Sequence, residues 1–159
     1  MFHRLLLAID ETLAGEVGVT YAAGLARHSG ASVHVVHANV FLVGGRGTTR
    51  ETPAEAAAVV ERAVDELRDA GIPASGETML ANVFTLASQI TDLATQRGSD
   101  VIVLGSHRRR RWTHLFGGGT RESITRATTL PVVTAPAPLH IRRRSAATEI
   151  RRIAEVSHR

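Results

Sequence analysis

The chain has 159 residues, 43% of them apolar, a formal charge of +4 and no cysteine. That length suits one domain with a substantial core, and the missing cysteine excludes disulfides, thiolate metal sites and a cysteine nucleophile. All 19 residues of the lysine-plus-arginine total are arginine, which excludes a catalytic lysine and the lysine of a P-loop.

In chain order, Arg4 to Ile9 (RLLLAI) is a short apolar run ending at Asp10, the signature of a buried strand. Gly15 to His28 predicts a helix with Val19, Ala22, Ala23 and Ala26 inward, stopped at Ser29-Gly30. Ala31 to Val36 is the second expected strand, and the glycine-rich segment Phe41 to Thr49 reads as a mobile loop. Thr52-Pro53-Ala54-Glu55 combines a capping box with proline at the first helical position. The helix it opens places Val59, Val60, Ala63, Val64 and Leu67 inward and runs to Gly71.

A strand near Ser75 to Leu80 follows, then a helix over about Phe84 to Arg97 with Leu86, Ile90, Leu93 and Ala94 inward. Asp100 to Leu104 is the most apolar strand, Thr120 to Thr128 the last domain helix, and Pro131 to Ala135 the closing strand, an expected sheet edge. This alternation predicts an α/β fold: a three-layer sandwich with a five-stranded, mainly parallel open sheet and helices on both faces. Ligands of such sheets sit beyond the carboxyl ends of the strands. Asp10, Ala38 and Gly105 are expected at such ends.

The opening MFHRLLLAIDE reaches acidic residues too early for a signal peptide, and no apolar run approaches the roughly 18 residues of a membrane span. A cytoplasmic protein without a membrane partner is expected. Residues 1–138 form the expected domain. Residues 139–159 form a basic tail that reads as an amphipathic helix, with Ala146, Ile150, Ile153 and Ala154 on one face and arginines on the other, and packing against protein is its expected role.

The segment from Val101 to Ser123 concentrates the chemistry. A strand ends at Gly105, Arg108 to Arg111 follow, and Gly117-Gly118-Gly119 precede a helix start. Glycines admit backbone N–H groups close to an anion, and a helix start adds unpaired donors and a positive dipole end. Trp112 in this loop suits base stacking or packing on its own domain. The histidines at 34, 37, 107 and 114 show no metal-ligand spacing, and His34 and His37 are assigned to packing.

LLLAID at the first strand, VVHA at the second, SDVIVLGSH at the fourth and TTLPVVTAP at the end together resemble the universal stress protein family over Phe2 to Pro136. Many of its members bind ATP through glycine, two residues, glycine, nine residues, glycine, then serine or threonine. Here Gly105 opens that motif and Gly118 closes it after the nine residues Arg109 to Gly117, whereas Arg108 replaces the second glycine and Gly119 the hydroxyl residue. A one-residue gap aligns Gly119-Thr120 with the final pair instead, at the cost of displacing Glu122.

The resemblance implies that Asp10 contacts the adenosine, with Ala8 and Ile9 lining the base and the backbone at Ala38 reading the adenine edge. It implies that Gly105, His107, Arg108, Gly118, Gly119 and Thr120 surround ribose and phosphates of ATP, with Mg²⁺ accompanying it. Glu11-Thr12 stands where the family has Gly-Ser. The family commonly dimerises through its last strand, which implies a homodimer across Val132 to Thr134.

Three functions follow: an ATP-binding stress-response regulator, a dimeric interaction module on the same fold without ATP, or a polyanion binder using the arginine clusters. The last lacks interleaved aromatics and a reading helix, so nucleic acid is disfavoured. Asp10-Glu11 also suggests a receiver domain, which Ala81-Asn82 after the third strand and the missing lysine exclude. No nucleophile elbow and no carboxylate pair indicate an enzyme, so at most slow ATP hydrolysis is expected.

Overall fold

The computed structural model describes residues 1–10, 13–41, 49, 51–105 and 120–136. The expected loop of 42–48, the arginine-rich loop and the tail beyond Pro136 lie outside them. Nine elements alternate: β1 (Arg4–Ile9), α1 (Leu13–Ser29), β2 (Ser32–Phe41), α2 (Pro53–Asp69), β3 (Ala74–Asn82), α3 (Leu86–Gln96), β4 (Val101–Leu104), α4 (Thr120–Ala127) and β5 (Val132–Thr134). The sheet has the order β3-β2-β1-β4-β5, and all four pairings are parallel. None of the described helices is long and apolar enough to cross a membrane.

Alternation along the central strands builds two cores. Leu5, Leu7, Val33, Val35, Val101 and Val103 face α1 and α2, meeting Val19, Ala22, Val60, Val64 and Leu67. Leu6, Val36, Ile102 and Leu104 face the other way, onto Ile90, Leu93, Ala94 and Ile124 of α3 and α4. A parallel sheet covered on both faces needs such continuous apolar strands, because successive side chains enter opposite layers.

The helix signals act as read. Thr52 Oγ1 accepts from the Glu55 N–H at 3.2 Å and Glu55 Oε2 accepts from the Thr52 N–H at 2.8 Å, closing the capping box at α2. Gly30 and Gly71 hold φ of 70° and 78° just past α1 and α2, a region side chains disfavour. α3 starts later than Phe84 because Asn82 Oδ1 accepts from the N–H groups of Phe84 and Thr85 at 2.8 and 3.0 Å, forming a turn first.

β2 runs five residues past the expected Val36. Polar His37 and Asn39 mimic a strand end, yet both are buried, at 2% and 6% exposure. His37 Nε2 and Asn39 Nδ2 find partners in Glu51, and β3 pairs on to Phe41↔Asn82. Ala38 therefore lies inside β2 rather than at its end. It is the first residue beyond the β1 ladder, which stops at Ile9↔His37.

At the opposite end of the sheet His34 is more than packing. Its Nδ1 meets Ser75 Oγ at 2.8 Å and its Nε2 meets Glu77 Oε1 at 2.7 Å, while Arg97 Nε donates to the same Glu77 oxygen at 3.1 Å. Partial burial works to raise the Glu77 pKa, but the hydrogen bonds and positive charge of His34 and Arg97 outweigh it and leave the carboxyl below the ordinary glutamate value. A depressed folded-state value gives stability that is present at neutral pH and lost as pH falls through the carboxylate range near about 4. Thermal melts of wild type and Glu77→Gln are accordingly expected to differ most at about pH 7 and to converge towards about pH 3.

α2 lies so close on β3 that a Cβ at Gly76 would stand 2.5 Å from Val60 Cγ1 and 3.0 Å from the Val35 carbonyl oxygen. Gly76→Ala is expected to cost roughly 1–3 kcal/mol through overpacking. Urea unfolding would show a lower midpoint with an unchanged m-value.

Candidate functional site

The strand order places a switch point between β1 and β4. From β1 the chain moves outward through β2 and β3 with α1 and α2 on one face, then returns to β4 and β5 with α3 and α4 on the other. The connections leaving β1 and β4 therefore diverge and leave a crevice at the carboxyl ends of these two strands. Asp10 follows β1 there, and Gly105 follows β4, its N–H reaching the Ala8 carbonyl at 3.4 Å.

Two glycines bring α1 onto this crevice. A Cβ at Gly15 would sit 2.3 Å from the Asp10 carbonyl oxygen, and one at Gly18 would sit 3.3 Å from Gly105 Cα. Any side chain at Gly15 pushes the first turn of α1 away from Asp10. The start of α1, with its unpaired N–H groups and positive dipole end, is thus held beside the end of β1. The spacing of Gly15 and Gly18 a few residues after Asp10 was a signal available in the sequence, yet the motif reading gave these residues no role.

A buried polar network lies beside the crevice. His37 Nδ1 meets the Ile9 carbonyl at 3.1 Å and its Nε2 meets Glu51 Oε2 at 2.6 Å. The Glu51 carbonyl accepts from Asn39 Nδ2 at 2.9 Å and from Thr49 Oγ1 at 2.7 Å. Thr49 also bridges Phe41 at the end of β2. His37 was assigned to packing, and Glu51 has no local signal, since fourteen residues and the whole connection separate it from its partner.

Of the residues expected at the site, Ala8, Ile9, Asp10, Ala38 and Gly105 are all half-buried. Ala8 and Ile9 pair with Val36 and His37, and Ala8 also pairs with Leu104, next to Gly105. These five are therefore gathered around the ends of β1 and β4 and the stretch of β2 alongside them. Thr120 opens α4. His107, Arg108, Gly118 and Gly119 lie outside the described residues. Ile9 and Asp10, with Pro136, also border an open groove of about 1040 Å³ between α1 and α2, whose walls include Tyr21, Leu25 and Val59. Among the described residues no cluster of histidine and carboxylates is arranged to hold a metal ion.

These features define the class: a doubly wound, parallel α/β domain with a crevice at its switch point. The sequence profile of the universal stress protein family matches residues 1–136, and the chain belongs to that family. A universal stress protein from Archaeoglobus fulgidus is 26% identical with a TM-score of 0.63, over 86% of this chain and 95% of that one. The Archaeoglobus fulgidus universal stress protein in complex with dAMP is 25% identical with a TM-score of 0.60, over 86% of this chain and 98% of that one. A family member from Arabidopsis thaliana with AMP bound shares the fold at 12% identity, with a TM-score of 0.61 over 91% and 99% of the two chains. No curated protein sequence gives a significant match.

The close approach at Gly15 is directly testable against Gly24, where an added Cβ meets nothing within 4 Å. Gly15→Ala is expected to lose roughly 1–3 kcal/mol, whereas Gly24→Ala in the same helix gains about 0.5–1 kcal/mol. Chemical denaturation of the two variants measures both.

Proposed function

We propose that this chain is an adenine-nucleotide-binding stress-response protein, with ATP and its Mg²⁺ as the ligand, acting through its bound state rather than through catalysis. The observation that carries this reading is the gathering of Asp10, Ala38 and Gly105 around one switch-point crevice. It is supported by the dAMP complex of a relative whose fold and sequence are similar. The half-buried Asp10 carboxylate suits ribose hydroxyl donors, and a backbone strand beyond its ladder, as at Ala38, suits the edge of a base. The start of α4 at Thr120 suits phosphate, and the motif assigns Gly105, His107, Arg108, Gly118 and Gly119 to the same phosphates.

Arg108 and Gly119, standing at the second glycine and the hydroxyl position of the motif, favour a second reading: an interaction module that has given up ATP. In both readings a homodimer forms through β5, three half-buried residues at the edge of the sheet among the described residues.

Mass spectrometry of nucleotide released from the purified, denatured protein, with ATP titration of wild type and Asp10→Ala, separates them. The first reading expects saturable ATP binding that Asp10→Ala weakens about tenfold or more, the worth of a charged hydrogen bond. Neither released nucleotide nor saturable titration leaves the interaction module. Arg108→Gly reads the loop: tighter ATP binding identifies an obstructing side chain, weaker binding a phosphate contact.

A further inference from the structure

We propose that His37 is a positioning residue for the base end of the nucleotide site, acting through the Ile9 carbonyl and oriented by Glu51. This rests on the nucleotide reading above. The β1–β4 ladder stops at Ala8↔Leu104 and the β1–β2 ladder at Ile9↔His37. The Ile9 carbonyl is thus the acceptor of the last rung, bonded by the Ala38 N–H, with no further rung beyond it to hold the peptide that follows. The imidazole adds a second donor on the same oxygen, its Nδ1–H at 3.1 Å.

That carbonyl belongs to the planar peptide unit joining Ile9 to Asp10. Fixing its oxygen fixes the plane from which Asp10 departs, and with it the direction of the carboxylate. Ile9 and Ala38, expected to line the base, flank the same bond: one offers the acceptor, and the other follows the donor in sequence.

The tautomer is dictated by chemistry. A carbonyl only accepts, so Nδ1 must carry a proton, and Nε2 then meets the Glu51 carboxyl at 2.6 Å across one further shared proton. The ring is 2% exposed and Glu51 17%, so water does not compete freely for either contact. Glu51 is itself fastened: its carbonyl takes hydrogen bonds from Asn39 and Thr49, and the next residue is Thr52, the cap of α2. The imidazole therefore has one orientation, with β1 on one side and the entry to α2 on the other.

Two isosteres divide the pair. Asparagine at 37 places an amide nitrogen near the position of Nδ1 and keeps the Ile9 bond. Glutamine places its nitrogen near Nε2 and keeps the Glu51 contact instead. Titration of the full chain with ATP and with GTP, together with thermal melts, reads affinity and base preference separately from stability.

The expected result is that His37→Gln weakens ATP binding about tenfold and narrows the ATP-over-GTP preference, while His37→Asn stays within about threefold of wild type even if its melting temperature falls as far. Should His37→Asn fail to fold, Gly76→Ala, destabilised by overpacking against Val60 and Val35, serves as the comparison that loses stability and keeps its ATP affinity within about threefold of wild type. Equal losses of affinity in step with lost stability would show a purely structural histidine and overturn the proposal. So would unchanged affinity in His37→Gln, or a wild type that binds both nucleotides equally. A wild type that binds neither nucleotide removes the nucleotide reading itself, a failure visible before any variant is compared.

Discussion

The burial of β1 on both faces is the constraint from which the rest of the architecture follows. Leu5, Leu6 and Leu7 have no exposed surface, with the odd positions in one core and the even one in the other. A strand this apolar has no solvent face, so helices must cover both sides. Right-handed crossovers put helices on opposite faces only if the chain builds outward from β1 in one direction and then in the other. That reversal creates the divergent loops at the ends of β1 and β4. The crevice is therefore a consequence of how the core is buried, and Asp10 stands in it because it ends the strand that the core demands.

β2 performs a related task with two histidines, His34 towards its amino end and His37 beside the last rung of β1. His34 faces the α3 layer, and His37 faces the layer of α1 and α2. Each ring places both nitrogens in hydrogen bonds and one of them on a glutamate. Burying such polar groups is tolerable only when every donor and acceptor on the ring is matched. The consequence differs by end. At the amino end the contact ties β3 to the last turn of α3, which is a matter of stability. At the carboxyl end it ties the final peptide of β1 to the approach of α2, which is a matter of geometry at the crevice.

Much of this was legible in the sequence because its signals are local. Continuous apolar strands, the Thr52 capping box and the stops at Gly30 and Gly71 act through neighbours in the chain, and the inward positions of α2 follow from helical spacing alone. The end of β2 was misread because His37 and Asn39 look like solvent-facing residues until Glu51 is brought to them from across a connection. Ala38 was placed at a strand end for the same reason. Gly15 and Gly18 passed without comment because a glycine near a helix start reads as a boundary. Its demand for space becomes visible only when Asp10 and Gly105 are beside it.

The proposed site divides into halves that depend on different parts of the chain. The base half, Ile9, Asp10 and Ala38, is held by strand ladders and by His37. The phosphate half rests on the segment between Gly105 and Thr120, where arginine and glycine have replaced a glycine and a hydroxyl. Binding free energy from the two ends is not interchangeable, since the phosphate end supplies charge attraction and the base end supplies discrimination. A side chain at Arg108 can raise or lower affinity for the polyphosphate and leave the choice of base untouched. On the proposed reading, departure from the motif bears on the charge of a ligand at α4, and the choice of base is set on β1 and β2.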